Sequence, residues 1–295
     1  MPTTPASWET SLNLTHSYLE TNGITLHVVE AGPADGPLVI LLHGFPEAWY
    51  GWRYQIGPLA EAGWHVLVPD QRGYNLSDKP KGVKSYRLSL LARDIVGLID
   101  RMGQGKAVII GHDWGAAVGW YLATCYPERV EKYVALNVPH PSIMTSMLRK
   151  HPRQLLKSWY IFFFQLPWLP ERIIQGLGST DRTMPLRQSS RPGTFSAANL
   201  AYYRQSWKIA GAMTGMINWY RATLRYPQEL PHNPKVTVPV LIIWGRKDKF
   251  LLPEGAEASL KICDNGQLVF VPEASHWVQH EEPEKVNNLI AEFIK

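Results

Sequence analysis

Only two of the 295 residues are cysteine, Cys125 and Cys263. Two are too few for a disulfide framework, and they lack metal-ligand spacing. Both read as packing residues in a reducing compartment. Charge of one sign is also scarce: 30 basic residues against 25 acidic leave a net +5. The basic residues are scattered, with no run that tracks a phosphate backbone, so no nucleic-acid partner is expected. Long apolar runs are missing as well. The most apolar window, IFFFQLPWLP at 161–170, is too short and too punctuated by proline to span a bilayer. Residues 1–20 contain no basic start followed by an apolar stretch, so no secretory signal is expected. These absences point to a cytoplasmic protein without a membrane partner.

An apolar fraction of 45% and a charged fraction of 19% belong to an ordinary globular chain. Its length is near the limit for one hydrophobic core, so one large domain with an inserted subdomain is expected. HSYLETN and ITLHVVEAG read as a hairpin around the Asn22-Gly23 turn. PLVILLHG, HVLVPD, KAVIIGH and VEKYVALNVP are nearly continuous apolar runs, as central strands of a mostly parallel sheet are. RLSLLARDIVGLIDRM at 87–102 carries a helical stripe. From about residue 140 to 230 no strand-like run occurs, only helical stretches rich in aromatics and methionine. Strand patterning resumes with VPVLIIWGRKD and GQLVFVPEASH, and a last amphipathic helix closes the chain. The expected organisation is an α/β core of residues 1–139 and 231–295, interrupted by a helical cap of residues 140–230.

Reactive side chains stand at the ends of three expected strands, in the order Asp113, Asp248, His276. The carboxyl edge of a parallel sheet is where catalytic sites form, and nucleophile, acid, histidine is the α/β-hydrolase order. An aspartate at the nucleophile position is ionised at neutral pH without a base. Attack on a carbonyl would give a reactive anhydride, whereas attack on a saturated carbon bearing a leaving group gives an alkyl ester. The histidine is then free to activate the water that hydrolyses the ester.

HGFPEAWYGWR, DQRGYNLSDKP, GHDWGA, NWYR, WGRKD and EASHWVQHEEP together resemble the epoxide hydrolases of the α/β-hydrolase superfamily. The resemblance covers essentially the whole chain. It implies an α/β-hydrolase fold, hydrolysis of a small hydrophobic epoxide by water to a vicinal diol, and no cofactor or metal. It implies that the backbone N–H groups of Phe45 and Trp114 form an oxyanion hole, that Phe45, Pro46 and Trp114 border the substrate, and that the Phe45–Pro46 peptide is cis. Two cap tyrosines would donate to the epoxide oxygen. NWYR gives Tyr220. Tyr160, five residues before Gln165, fits the other by spacing, with Tyr202 and Tyr203 as competitors on residue type.

After VEKYVAL the chain offers Asn137 rather than a carboxylate, so Asp248 is favoured as the acid, with Asp264 a weaker alternative. His43, His112, His140, His151 and His280 read as structural. A haloalkane dehalogenase is the nearest rival, but it needs a second halide donor where this chain has Phe45. A ligand receptor that lost the chemistry would be expected to have a damaged triad. Neither an N-terminal phosphatase domain nor a membrane anchor is expected here.

Overall fold

Asn22 and Gly23 both have positive φ, 46° and 75°. That backbone fits the right-handed twist of two antiparallel strands, and it joins β1 (Thr15–Thr21) to β2 (Ile24–Ala31) in register Thr21↔Ile24. The computed structural model describes residues 12–177, 184–226 and 229–295. The first eleven residues, where a leader would begin, and short parts of the expected cap lie outside the described residues.

Each apolar run forms the expected strand: β3 (Leu38–Leu42), β4 (His65–Pro69), β5 (Ala107–His112), β6 (Val130–Leu136), β7 (Val240–Gly245) and β8 (Gly266–Val271). They make one eight-stranded sheet in the order β1-β2-β4-β3-β5-β6-β7-β8. β2 is antiparallel to β4, and every pair from β4 through β8 is parallel. β3, β4, β5 and β7 are buried throughout, as strands covered by helices on both faces must be.

Outside the sheet lie α1 (Ile56–Glu61), α2 (Leu88–Arg101) and α3 (Trp114–Cys125). α2 buries Leu91, Ile95, Leu98 and Ile99, the stripe expected of 87–102. Between β6 and β7 every described element is helical: α4 (Pro141–Lys150), α5 (Pro152–Lys157), α6 (Trp159–Phe163), α7 (Leu169–Leu177), α8 (Pro185–Ser189), α9 (Ala197–Lys208) and α10 (Ala212–Arg225). α11 (Glu254–Leu260), α12 (Val278–Glu281) and α13 (Pro283–Ile294) complete the chain. Proline at the first position of α4, α5, α8 and α13 starts each helix where its missing N–H costs nothing. The insertion leaves β6 and rejoins at β7, neighbours in the sheet, so it sits over the carboxyl edge where Asp113, Asp248 and His276 emerge.

Candidate active site

Between β5 and α3 the chain turns at one residue. Asp113 has φ 50° and ψ −123°, a conformation that non-glycine residues adopt only when the surroundings enforce it. Close approach makes the corner possible. A Cβ on Gly115 would stand 2.0 Å from the Leu42 carbonyl oxygen, and one on Gly44 would stand 2.2 Å from Cβ of Asp113 itself. The loop after β3 therefore lies directly against the carboxylate. Its Phe45 N–H donates to Oδ1 of Asp113 at 2.7 Å, and its Phe45–Pro46 peptide is cis.

The other carboxylate oxygen, Oδ2, lies 3.4 Å from Nε2 of His276. Nδ1 of the same ring is 2.8 Å from Oδ2 of Asp248. Asp248 is pinned in turn: its Oδ1 accepts the N–H groups of Phe250 at 2.7 Å and Leu251 at 2.9 Å. Burial pushes the Asp113 carboxyl up, yet the hydrogen bond and charge of His276 outweigh it and hold the group below its usual range. Asp248 is lowered in the same way, burial being overcome by the His276 charge. For His276, burial acts downward while Asp248 and then Asp113 act upward, and the net is a rise to about 10. At neutral pH the site is an imidazolium between two carboxylates.

A cavity of about 820 Å³ opens beside this corner, lined by Asp113 and Trp114 from the core and by Tyr160, Phe162, Tyr220 and Leu224 from the insertion. The rings of Tyr160 and Tyr220 lie 5.9 Å apart at 80°. Tyr220 packs edge-on to Trp114 at 4.9 Å and to Phe45 at 5.3 Å. Burial raises both phenols above their ordinary pKa, and the facing Asp113 charge raises them further, so both are neutral donors. Gln165 links their helices: its Nε2 donates to the carbonyl of Ile161 at 3.1 Å and to that of Tyr220 at 3.2 Å.

A family model of the alpha/beta hydrolase fold matches residues 37–283. The chain belongs to the α/β-hydrolase family. It is 50% identical to AB hydrolase superfamily protein YfhM of Bacillus subtilis, over 94% of this chain and 97% of that one. Human epoxide hydrolase 4 is 38% identical over 95% of this chain and 79% of its own length. A crystal structure of an epoxide hydrolase from Bacillus megaterium, solved with an inhibitor, superposes with a TM-score of 0.82 at 33% identity, covering 94% of this chain and 99% of that one. Within the family this chain therefore stands in the epoxide hydrolase group.

In this α/β hydrolase the competing assignments lie elsewhere. Tyr203 is buried with its hydroxyl donating to Glu47 at 2.7 Å, and Tyr202 stacks on Tyr50 at 4.2 Å. Asp264 pairs with Lys235 at 2.9 Å on the surface. Of the three residues expected to border the substrate, Trp114 lines the cavity. Phe45 instead packs against Tyr220 and Phe164, and the Pro46 carbonyl accepts from the indole of Trp207 at 2.6 Å.

Two features have no signature in the sequence. Asn137, which stands where a carboxylate could have been, holds Asp248 through Nδ2 at 2.8 Å and accepts the Gly245 N–H at 2.9 Å. Behind His276, the carboxylate of Glu47 is fully buried among His280 at 2.7 Å, Tyr203 at 2.7 Å and His112 at 3.4 Å. His112 passes this order on: its Nε2 donates to the backbone carbonyl of His276 at 2.8 Å. Neither partner set has a motif; each joins residues more than 60 apart in the chain.

Proposed function

We propose that this protein hydrolyses epoxides of apolar compounds to vicinal diols, through an ester on Asp113. Residues 1–139 and 231–295 serve as the catalytic core and 140–230 as a cap that carries the acid. One observation carries the reading. A carboxylate held by Phe45 N–H and His276 shares a cavity with two neutral phenols on the insertion. A nucleophile and neutral acids that share one space suit a strained C–O bond, and a halide leaving group needs no phenol.

Asp113 attacks an epoxide carbon, the C–O bond breaks, and a phenol of Tyr160 or Tyr220 protonates the departing oxygen. The phenolate is re-protonated from the His276 imidazolium. The ester has no charge, so His276 has lost one of the two carboxylates that raised its pKa and is now a neutral base. It takes a proton from water, whose oxygen adds to the ester carbonyl. The developing oxyanion lies at the Asp113 oxygen that Phe45 N–H already holds, with Trp114 N–H as the second donor. Collapse releases the diol and returns a carboxylate beside an imidazolium. The proton lent at ring opening is restored at hydrolysis, so the cycle closes with water as the sole addition.

A single turnover in heavy-oxygen water tests this. The expected result is an unlabelled first diol, with the new oxygen found on the peptide containing Asp113. A labelled first diol would mean direct attack by water and would overturn the reading.

A further inference from the structure

The helical insertion differs from the core in charge. Residues 140–230 hold twelve Lys and Arg against three acidic residues, a net +9, so the rest of a chain of net +5 carries −4. The two acidic residues of the insertion that the structure describes are already paired, Glu171 with Arg221 at 2.7 Å and Glu229 with Arg87 of the core at 3.0 Å. From residue 132 to 170 there is no acidic side chain at all.

Exposed apolar side chains gather in the same place. Of eleven large apolar residues exposed among the described residues, seven fall within 155–173. Leu156 is 74% exposed, Trp159 64% and Trp168 61%. Leu155, Leu156, Trp159 and Phe162 recur at helical spacing through α5 and α6, while Ser158 between them and Gln154 and Phe164 on either side are buried. Exposed Lys150 and Arg153 flank this run. Isolated exposed apolar residues need no explanation, but a cluster rimmed by cations does.

The cluster is also continuous with the site. Leu155, Phe162 and Arg149 belong both to this outer face and to the lining of the active-site cavity. Apolar anchors ringed by cations are the complement of an anionic lipid surface, which supplies both a negative headgroup layer and an acyl boundary for aromatic and leucyl side chains. We propose that the face formed by α5, α6 and the turn before α7 docks on an anionic bilayer, placing the mouth of the cavity against the lipid. Apolar substrates partition into that phase and enter without crossing water. The expectation of no membrane partner rested on the lack of a spanning segment, and no described helix is long and apolar enough to cross a membrane. A peripheral contact needs none.

Flotation with vesicles of phosphatidylcholine alone, and of phosphatidylcholine mixed with phosphatidylglycerol, decides the matter. The protein is expected to float with the mixed vesicles at low salt, to be released by added salt, and to ignore the neutral ones. Lys150→Glu with Arg153→Glu, and separately Leu156→Asp with Trp159→Asp, are expected to weaken binding by about tenfold or more. Circular dichroism, and turnover of a water-soluble epoxide without vesicles, should stay unchanged in both variants, which separates docking from folding and from the assignment of the reaction. Equal flotation with neutral vesicles, or undiminished binding by both variants, would overturn the proposal. So would a solution dimer in light scattering that these substitutions dissolve, since the face would then be a contact between two copies.

Discussion

Asn137 and His276 hold the same oxygen of Asp248: Nδ2 of the first and Nδ1 of the second each lie 2.8 Å from Oδ2. The carboxylate that aims the His276 imidazole is itself aimed by an amide at the end of the neighbouring strand. Asn137 has φ 53°, a left-handed conformation that asparagine and glycine tolerate best. Asn137→Gly therefore removes the amide while keeping the backbone. Losing hydrogen bonds to a buried carboxylate and to the Gly245 N–H costs roughly 1–3 kcal/mol, visible as a lower denaturant midpoint. If the amide also positions Asp248, kcat falls about tenfold or more with little change in KM. A variant that is less stable but has unchanged kcat would confine Asn137 to structure.

The two phenols should act on one step only. Tyr220→Phe or Tyr160→Phe is expected to slow formation of the Asp113 ester by on the order of 10²-fold, and the double variant should nearly abolish it. Hydrolysis of an ester already formed involves water, His276 and backbone donors, and should be unaffected. Rapid-quench mass analysis of single turnovers resolves the two rates. Equal slowing of both steps would point to a collapsed cavity rather than a lost acid.

Replacing His276 separates the steps from the other side. His276→Gln keeps the partnership with Asp248 but cannot accept a proton from water. Intact mass should show the protein plus one substrate, localised to Asp113, persisting for many wild-type turnover times. The neutral glutamine also removes the positive charge that lowers the Asp113 pKa, so ester formation should fall off at a higher pH than in the wild type as the medium is acidified. Multiple turnovers in this variant would remove His276 from the role of base.

Much of this was legible from the chain, for identifiable reasons. Strands buried on both faces, such as Leu38–Leu42 and Val240–Gly245, leave continuous apolar runs, and the residues just past each run therefore fall in loops at one sheet edge. That is why Asp113, Asp248 and His276 could be placed together. Tyr160 is singled out by the spacing to Gln165 that the resemblance implies, and in the structure the amide of Gln165 bonds the carbonyl of Tyr220. Asn137 and Glu47 were not legible. Their roles come from side chains that meet across 111 and 233 positions, and a single sequence carries no record of such pairs. The outer face of α5 and α6 escaped for another reason: helical spacing of Leu156 and Trp159 looks the same whether the stripe faces a core or solvent.

Stability should peak near pH 6.5 because buried histidines pull in opposite directions. Burial lowers His140 to about 4. His280 also falls to about 4, burial outweighing the nearby Glu47 charge. A histidine depressed in the folded state resists protonation there, so its contribution is complete above the unfolded value near 6.5 and is lost as pH falls towards 4. Over that window each can cost about 3 kcal/mol. His276 is raised to about 10, so the sign reverses: its contribution is complete below 6.5 and disappears as pH rises to 10. Urea midpoints measured from pH 4 to 10 should therefore fall on both sides. His276→Gln should flatten the alkaline limb, and His280→Gln should weaken the acid limb in part, since His140 still titrates. An alkaline limb that survives in His276→Gln would mean that the imidazole is neutral in the resting protein. The phenolate left by ring opening would then have to draw its proton from solvent.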